Sequence, residues 1–282
     1  MMAQLADFFD MVVEMFSFAF MRRAIVVGVL ISLCAALLGV NLVLKRYAMI
    51  GTGLGNVAFA AMAIAGVIDL APLPVTFVVV TAAAFMLLRM NESSKVKGDS
   101  AVALVSTSSL AIGLIVLAMT TGITLHVCNV MFGSIFAMTQ ADMYISIGLS
   151  VAVICLFVLF YKQLFAVTYD ESFAMATGIK VELYKSLLAV LTAVMMVLGM
   201  RMMGALLIAS LSIFPALSAM RLCKRFLSVV IASAVIGLGC FSVGMLFSYG
   251  LDIPPGASVV GVNLAVFIVL SGIAFVRRGR AT

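Results

Sequence analysis

Thr52 and Asn56 stand four residues apart in Gly51-Thr52-Gly53-Leu54-Gly55-Asn56, at the opening of a long apolar run. In a helix, positions four apart lie on one face, so a hydroxyl and a carboxamide would present neutral oxygens side by side. Such oxygens hold transition-metal ions far more weakly than carboxylate or imidazole. The same glycines also permit close helix packing. Asn41 and Asn263 are further polar residues within apolar runs, and they either line a passage or hydrogen-bond between helices. His126 is the one imidazole, an outer-gate ligand or a solvated interfacial side chain. Met195, Met196, Met200, Met202 and Met203 would suit a soft ion such as Cu(I). They do not keep one helical face, which fits packing better. The five cysteines form no CxxC pair and read as small buried residues.

The elements that must position these side chains follow from composition. Of 282 residues, 65% are hydrophobic and 10% charged, against about 25% charged in soluble domains, and mean hydropathy is +1.31. This is an all-α, polytopic membrane protein, a single transmembrane domain over 1–282. The net charge of +6 is then a matter of topology, and no cluster is large enough for a nucleic-acid face. Residues 1–20 carry Asp7, Asp10 and Glu14 ahead of Arg22-Arg23, the wrong order for a cleavable signal. An amphipathic interfacial helix is expected there.

A bilayer crossing needs roughly 20 apolar residues. The uncharged stretches are 24–44, 47–68, 70–88, 100–141, 143–161, 186–200, 202–220, 226–251 and 253–276. Lys185 can snorkel to extend the short 186–200 stretch, and the turn at Arg201 must borrow from both neighbouring helix ends. With about nine spans, and 121–142 as an outer-face or re-entrant segment, 14 of the 17 basic residues fall inside. Only Arg22, Arg23 and Arg201 then lie outside. Splitting 100–141 into two full spans leaves 11 inside and six outside, so the positive-inside rule favours nine over the alternative count; eight spans is the other count kept open. The charges Asp69, Arg201 and Asp252 sit at turns, which argues against a carboxylate proton relay within the membrane.

Two inner segments stand out. One is 162–185, polar and rich in helix formers. The other runs from Pro215-Ala216 through Arg221, Lys224 and Arg225 to Phe226. Proline near the end of a span loosens the hydrogen-bond ladder. It either directs a short helix along the inner surface or kinks a helix that ends in a positive-inside anchor.

Four segments together resemble the integral-membrane permeases of ABC importers for zinc, manganese or iron. They are Lys45-Arg46-Tyr47-Ala48-Met49-Ile50 with Gly51 to Asn56, Tyr169 to Ile179, Gly204 to Leu211 with Pro215-Ala216, and Asp252 to Ala257. In order and spacing they cover 45–257. The resemblance implies a homodimer around one pathway, two cytoplasmic ATP-binding subunits, and an extracytoplasmic binding protein, in a bacterial cytoplasmic membrane. It places ATPase coupling on Pro215 to Phe226, with Pro215, Ala216, Arg221, Lys224 and Arg225 as its residues. The chain has no GxxxxGK[ST], so it is expected to be no enzyme itself and to hold no cofactor, ATP hydrolysis belonging to a partner.

In the resembling motif the second span reads Gly-Asp-x-x-Ser-His. Here Thr52 replaces the acid, Gly55 the serine and Asn56 the histidine. Three arrangements stay open: transient conduction of a metal without a strong site, a different substrate, or a heterodimer whose other half keeps the ligands. Outside this class stand an ATP-independent carrier or channel and a non-transporting membrane scaffold.

Overall fold

The structure, a computed structural model, describes residues 17–45, 47–93, 98–120, 140–251 and 253–279. Their regular structure is entirely helical: α1 Ala19–Leu44, α2 Ala48–Val67, α3 Pro72–Ser93, α4 Gly98–Thr120, α5 Gln140–Leu159, α6 Tyr161–Tyr169, α7 Glu171–Ala176, α8 Val181–Met203, α9 Ala205–Leu222, α10 Phe226–Leu251 and α11 Pro255–Gly279. Eight of these are long and apolar enough to cross a membrane. In α3 the apolar stretch, Pro72–Leu87, is shorter.

The packing of α2 on α4 decides whether α3 crosses. A side chain at Gly53 would meet Val102, Asn56 bonds Ser106, and a side chain at Gly113 would meet Phe59 and Ala60. The contacts advance together along both helices, so α2 and α4 run parallel. The chain leaves α2 at one face and re-enters α4 at the other, and α3 must bring it back. Its 22 residues span about 33 Å at 1.5 Å per residue, enough for the return. By this geometry α3 is a crossing beside the eight, its polar end leaving only Pro72–Leu87 apolar; the outer segment on which the nine-span reading also relied lies mostly outside the described residues.

Small residues let α1 act as the hub. Ser32 Oγ donates to Gly237 O and Ser233 Oγ to Ala36 O, both at 3.0 Å, so α1 and α10 exchange two interhelical bonds where a glycine and an alanine meet. On its next face Gly39 lies against the Ser212 backbone of α9, and Cys34 Sγ donates to Ser150 O of α5 at 3.4 Å. Apolar tails of lipid offer no drive for helix association, so close approach and such bonds carry it. The α8–α9 hairpin turns on one residue, Gly204, at φ 85° and ψ 161°, a region open essentially to glycine alone. The turn expected at Arg201 is therefore displaced: Arg201 lies in the last turn of α8 and the chain reverses at Gly204.

Several expectations meet different outcomes. Pro215 lies inside α9, which continues to Leu222. No separate surface helix begins at the proline; the residue only removes one rung, to the Leu211 carbonyl, while the flanking helix is held by buried Ser212, Ala216 and Ala219. The 162–185 segment resolves into α6, α7 and the first turn of α8. The methionine cluster is buried within the core, from 0% exposed at Met196 to 4% at Met202, which makes it packing material. Residues 1–16 and 121–139 lie outside the described residues, and with them most of the amphipathic segment, the outer segment and His126.

Candidate functional site

Thr52 and Asn56 share a half-buried face of α2, one turn apart. The three glycines around them serve separate neighbours. A side chain at Gly51 would strike Met196 of α8 at 2.8 Å and one at Gly53 would strike Val102 of α4 at 2.9 Å, whereas Gly55 has ordinary room beside Ala205. The glycine spacing therefore seats α2 between α8 and α4 while leaving the Thr52–Asn56 face partly open. Asn56 Nδ2 donates to Ser106 Oγ at 2.7 Å. With one amide hydrogen so used, this face still offers the Asn56 carbonyl oxygen, its second N–H and the hydroxyls of Thr52 and Ser106.

Ser106 begins a hydroxyl run, Ser106-Thr107-Ser108-Ser109, in the middle of α4. Thr107 Oγ1 donates to Ala103 O at 2.8 Å and Ser108 Oγ to Leu104 O at 2.7 Å. Both hydroxyls are thus satisfied inside their own helix, which lets them sit exposed in an apolar span. Sequence reading overlooked Ser106 because its role depends on α4 lying parallel to α2. Among the described residues no three His, Cys, Asp or Glu side chains gather in a group that could hold a metal. The Thr52–Asn56–Ser106 surface can solvate an ion in passing, but it supplies no strong ligand for a transition metal.

Asn41 and Asn263 stand apart from this surface, and both are buried. Asn41 Oδ1 accepts from Thr168 Oγ1 of α6 at 3.1 Å, tying α1 to the short helices. Asn263 Nδ2 donates to Val259 O, one turn back in α11, at 2.9 Å. Asn41 thus bonds between helices, whereas Asn263 bonds within its own helix and its Oδ1 is buried without a partner. The structure brings neither next to Thr52 and Asn56.

The face where α1, α9 and α11 end carries the basic residues. Glu171, the first residue of α7, receives Lys45 Nζ on Oε1 at 2.9 Å and Lys185 Nζ on Oε2 at 2.6 Å. The lysine side chains are 6% and 10% exposed and the glutamate 39%. Burial alone would raise the Glu171 pKa, but hydrogen bonds and charge from Lys185 and Lys45 outweigh it and hold the carboxyl below its ordinary value. Asp170 caps the same helix by accepting from the Phe173 amide at 3.0 Å. Nearby, Phe165 of α6 lies 4.6 Å from Phe226 at the head of α10, so the short helices pack directly on the end of the Pro215–Phe226 segment.

Within that segment Pro215 and Ala216 are buried, while Arg221, Lys224 and Arg225 are exposed. Arg221 sits over the Phe267 ring of α11 at 5.6 Å, and Phe267 packs edge-on against Phe214. A guanidinium so stacked is pre-positioned yet leaves its donors free to meet an acidic partner. At the opposite face Arg201 of α8 pairs with Asp142 of α5 at 2.8 Å. Neither acid was singled out in the sequence, because each partner is remote along the chain.

Comparison with known proteins places these surfaces in a family. Residues 17–274 match the family described as the ABC 3 transport family. The manganese import system permease protein ScaB of Streptococcus gordonii is 26% identical over 252 residues, covering 89% of this chain and 90% of the relative. A probable metal transport system membrane protein of Treponema pallidum is 28% identical over 267 residues, covering 94% and 100%. The solved structure of PsaBC from Streptococcus pneumoniae in complex with Fab superposes with a TM-score of 0.83 at 26% identity, covering 94% of this chain and 95% of that one. A match over almost the whole length, on a chain with eight helices long and apolar enough to cross a membrane among its described residues, means that this chain is an integral-membrane permease of the ABC 3 transport family.

Proposed function

We propose that this permease imports a divalent transition metal, manganese before zinc or iron, driven by ATP hydrolysed in separate subunits. The observation that supports it most is the end-to-end similarity to permeases named for manganese and metal transport. Two copies enclose the pathway, each contributing a Thr52–Asn56–Ser106 surface. A binding protein delivers the ion at the face of Arg201, and the ATP-binding subunits dock at the basic face. There Pro215 and Ala216 hold the end of α9 in the core while Arg221, Lys224 and Arg225 meet the partner.

Because the surface offers only neutral oxygens, the metal passes without being tightly held. Delivery and selection then rest on the binding protein, and the permease contributes the alternation of access. The neutral face favours this over a tightly chelating gate.

Arg221→Glu combined with Lys224→Glu tests the docking surface. Reversing two exposed charges turns attraction to an acidic partner into repulsion. Co-purification with the ATP-binding subunit and ATP-driven uptake should each fall by about tenfold or more, equivalent to some 1.4 kcal/mol. Unchanged association and uptake would remove these residues from the interface.

A further inference from the structure

We propose that α5, α6 and α7 form a strap clipped to α8 at both membrane faces, with Asp142, Arg201 and Glu171 as positioning residues that keep the two faces in step. The helix α8 is buried nearly all round. It carries Lys185 near one end and Arg201 near the other, 16 positions apart, or about 24 Å along the axis. Arg201 holds Asp142 in the first turn of α5, and Lys185 holds Glu171 at the start of α7. Lys45 brings the end of α1 onto the same carboxylate. One rigid helix thus grips both ends of a continuous stretch of chain.

Between the clips α5 meets the core along one seam that includes polar residues. The buried side chains of α5 are Ser146, Ser150, Val153 and Phe157, a narrow seam at helical spacing. Two of the four are serines, and Ser146 Oγ is buried without a partner. Met143, Ile147 and Ile154 flank this seam half-buried against the core, while Tyr144, Leu149, Val158 and Leu159 are exposed. Beyond α5, α6 buries Leu164 and Val167 and adds one polar bond to α1, Thr168 on Asn41, where the Asn41 Nδ2 is buried and unpaired. Polar seams with spare donors and acceptors can re-pair after a small shift, whereas interlocked apolar packing resists one.

The clips are of the kind that fail sharply. Removing the shared carboxylate leaves two buried ammonium groups facing each other, and breaking a buried pair from one side strands a charge. A movement of α8 is therefore passed to the strap at both faces. A load on α6 and α7 at the basic face is returned through Glu171 to α8 and α1.

The test uses the permease in lipid nanodiscs with its ATP-binding subunits and binding protein, and manganese as the transported probe. Its transport arm rests on the importer reading; its amide-exchange arm does not. Glu171→Gln should speed deuterium exchange over residues 161–180 by about tenfold, with α9 and α11 unchanged, and should lower the manganese moved per ATP hydrolysed. Glu171→Asp, which keeps the charge at shorter reach, should fall between. Asp142→Arg and Arg201→Asp should each lower that ratio, and the two combined should recover it. Exchange that stays at the wild-type rate, or rises equally in every helix, would overturn the strap, as would a double exchange no better than its singles. If the wild-type complex moves no manganese, the importer reading fails, and the exchange arm still decides the strap.

Discussion

Gly39→Ala is expected to cost the protein its fold, although it adds one methyl group to a helix. An added Cβ would lie 2.0 Å from the Ser212 carbonyl oxygen of α9 and 2.9 Å from its carbon. Both are backbone atoms inside a buried helix, so no flexible side-chain end can give way. Ordinary overpacking costs about 1–3 kcal/mol, and this contact exceeds it because α1 and α9 would have to separate. Separation would also disturb the Ser32–Gly237 and Ser233–Ala36 bonds on the adjoining face of α1. Gly148 is the matched control, since nothing lies within 4 Å of its Cβ position. Gly148→Ala should hold or raise stability by up to about 1 kcal/mol through helix propensity. Thermal unfolding in detergent checks both. A Gly39→Ala protein that melts with the wild type would mean that α1 and α9 do not cross here.

Thr52→Asp with Asn56→His is expected to create the strong metal site that the present residues withhold. A carboxylate and an imidazole four residues apart share one helix face, and both are preferred ligands for Mn²⁺ or Zn²⁺. Within a span the new acid costs about 2.5–3.5 kcal/mol without a partner. The metal-free variant should therefore melt below the wild type and recover when metal is added. Binding to the folded state alone stabilises by about 2.7 kcal/mol at one hundred times Kd. The wild type, with Asn56 engaged by Ser106, should show no such metal-dependent shift. An equal response in both proteins would mean that this face does not line the pathway.

How much of this was legible in the sequence depends on the range of each interaction. The crossings could be read because each is local: a run of apolar residues ended by charge. Two helices hid part of their length, α3 in the polar stretch through Arg89 and Asn91 and α8 beyond Lys185 and Arg201. A turn near Arg201 was readable because two spans meet with a single arginine between them, but its place at Gly204 was not, since α8 continues through Arg201. Pro215 was not decidable, since a proline can end a helix or sit within one, and packing of α9 against α1 and α10 settled it. The Glu171 clip was out of reach, because Lys45 lies 126 residues away and no local pattern marks it. The Asn56–Ser106 bond was equally hidden, depending on the parallel run of α2 and α4. Asn41 and Asn263 resembled pathway residues in sequence, where polarity in a span is the only signal; the Thr168 partner of Asn41 appears only in three dimensions, whereas Asn263 bonds one turn back in its own helix.

The central claim is ATP-driven passage of a divalent metal through a neutral-walled permease. The most direct test is manganese uptake into proteoliposomes holding this chain with its ATP-binding subunits, and binding protein added at the face of Arg201. Accumulation should require both ATP and the binding protein, and should stop with a non-hydrolysable nucleotide. Flux that continues at the same rate without ATP, or no flux with every component present, would contradict the account.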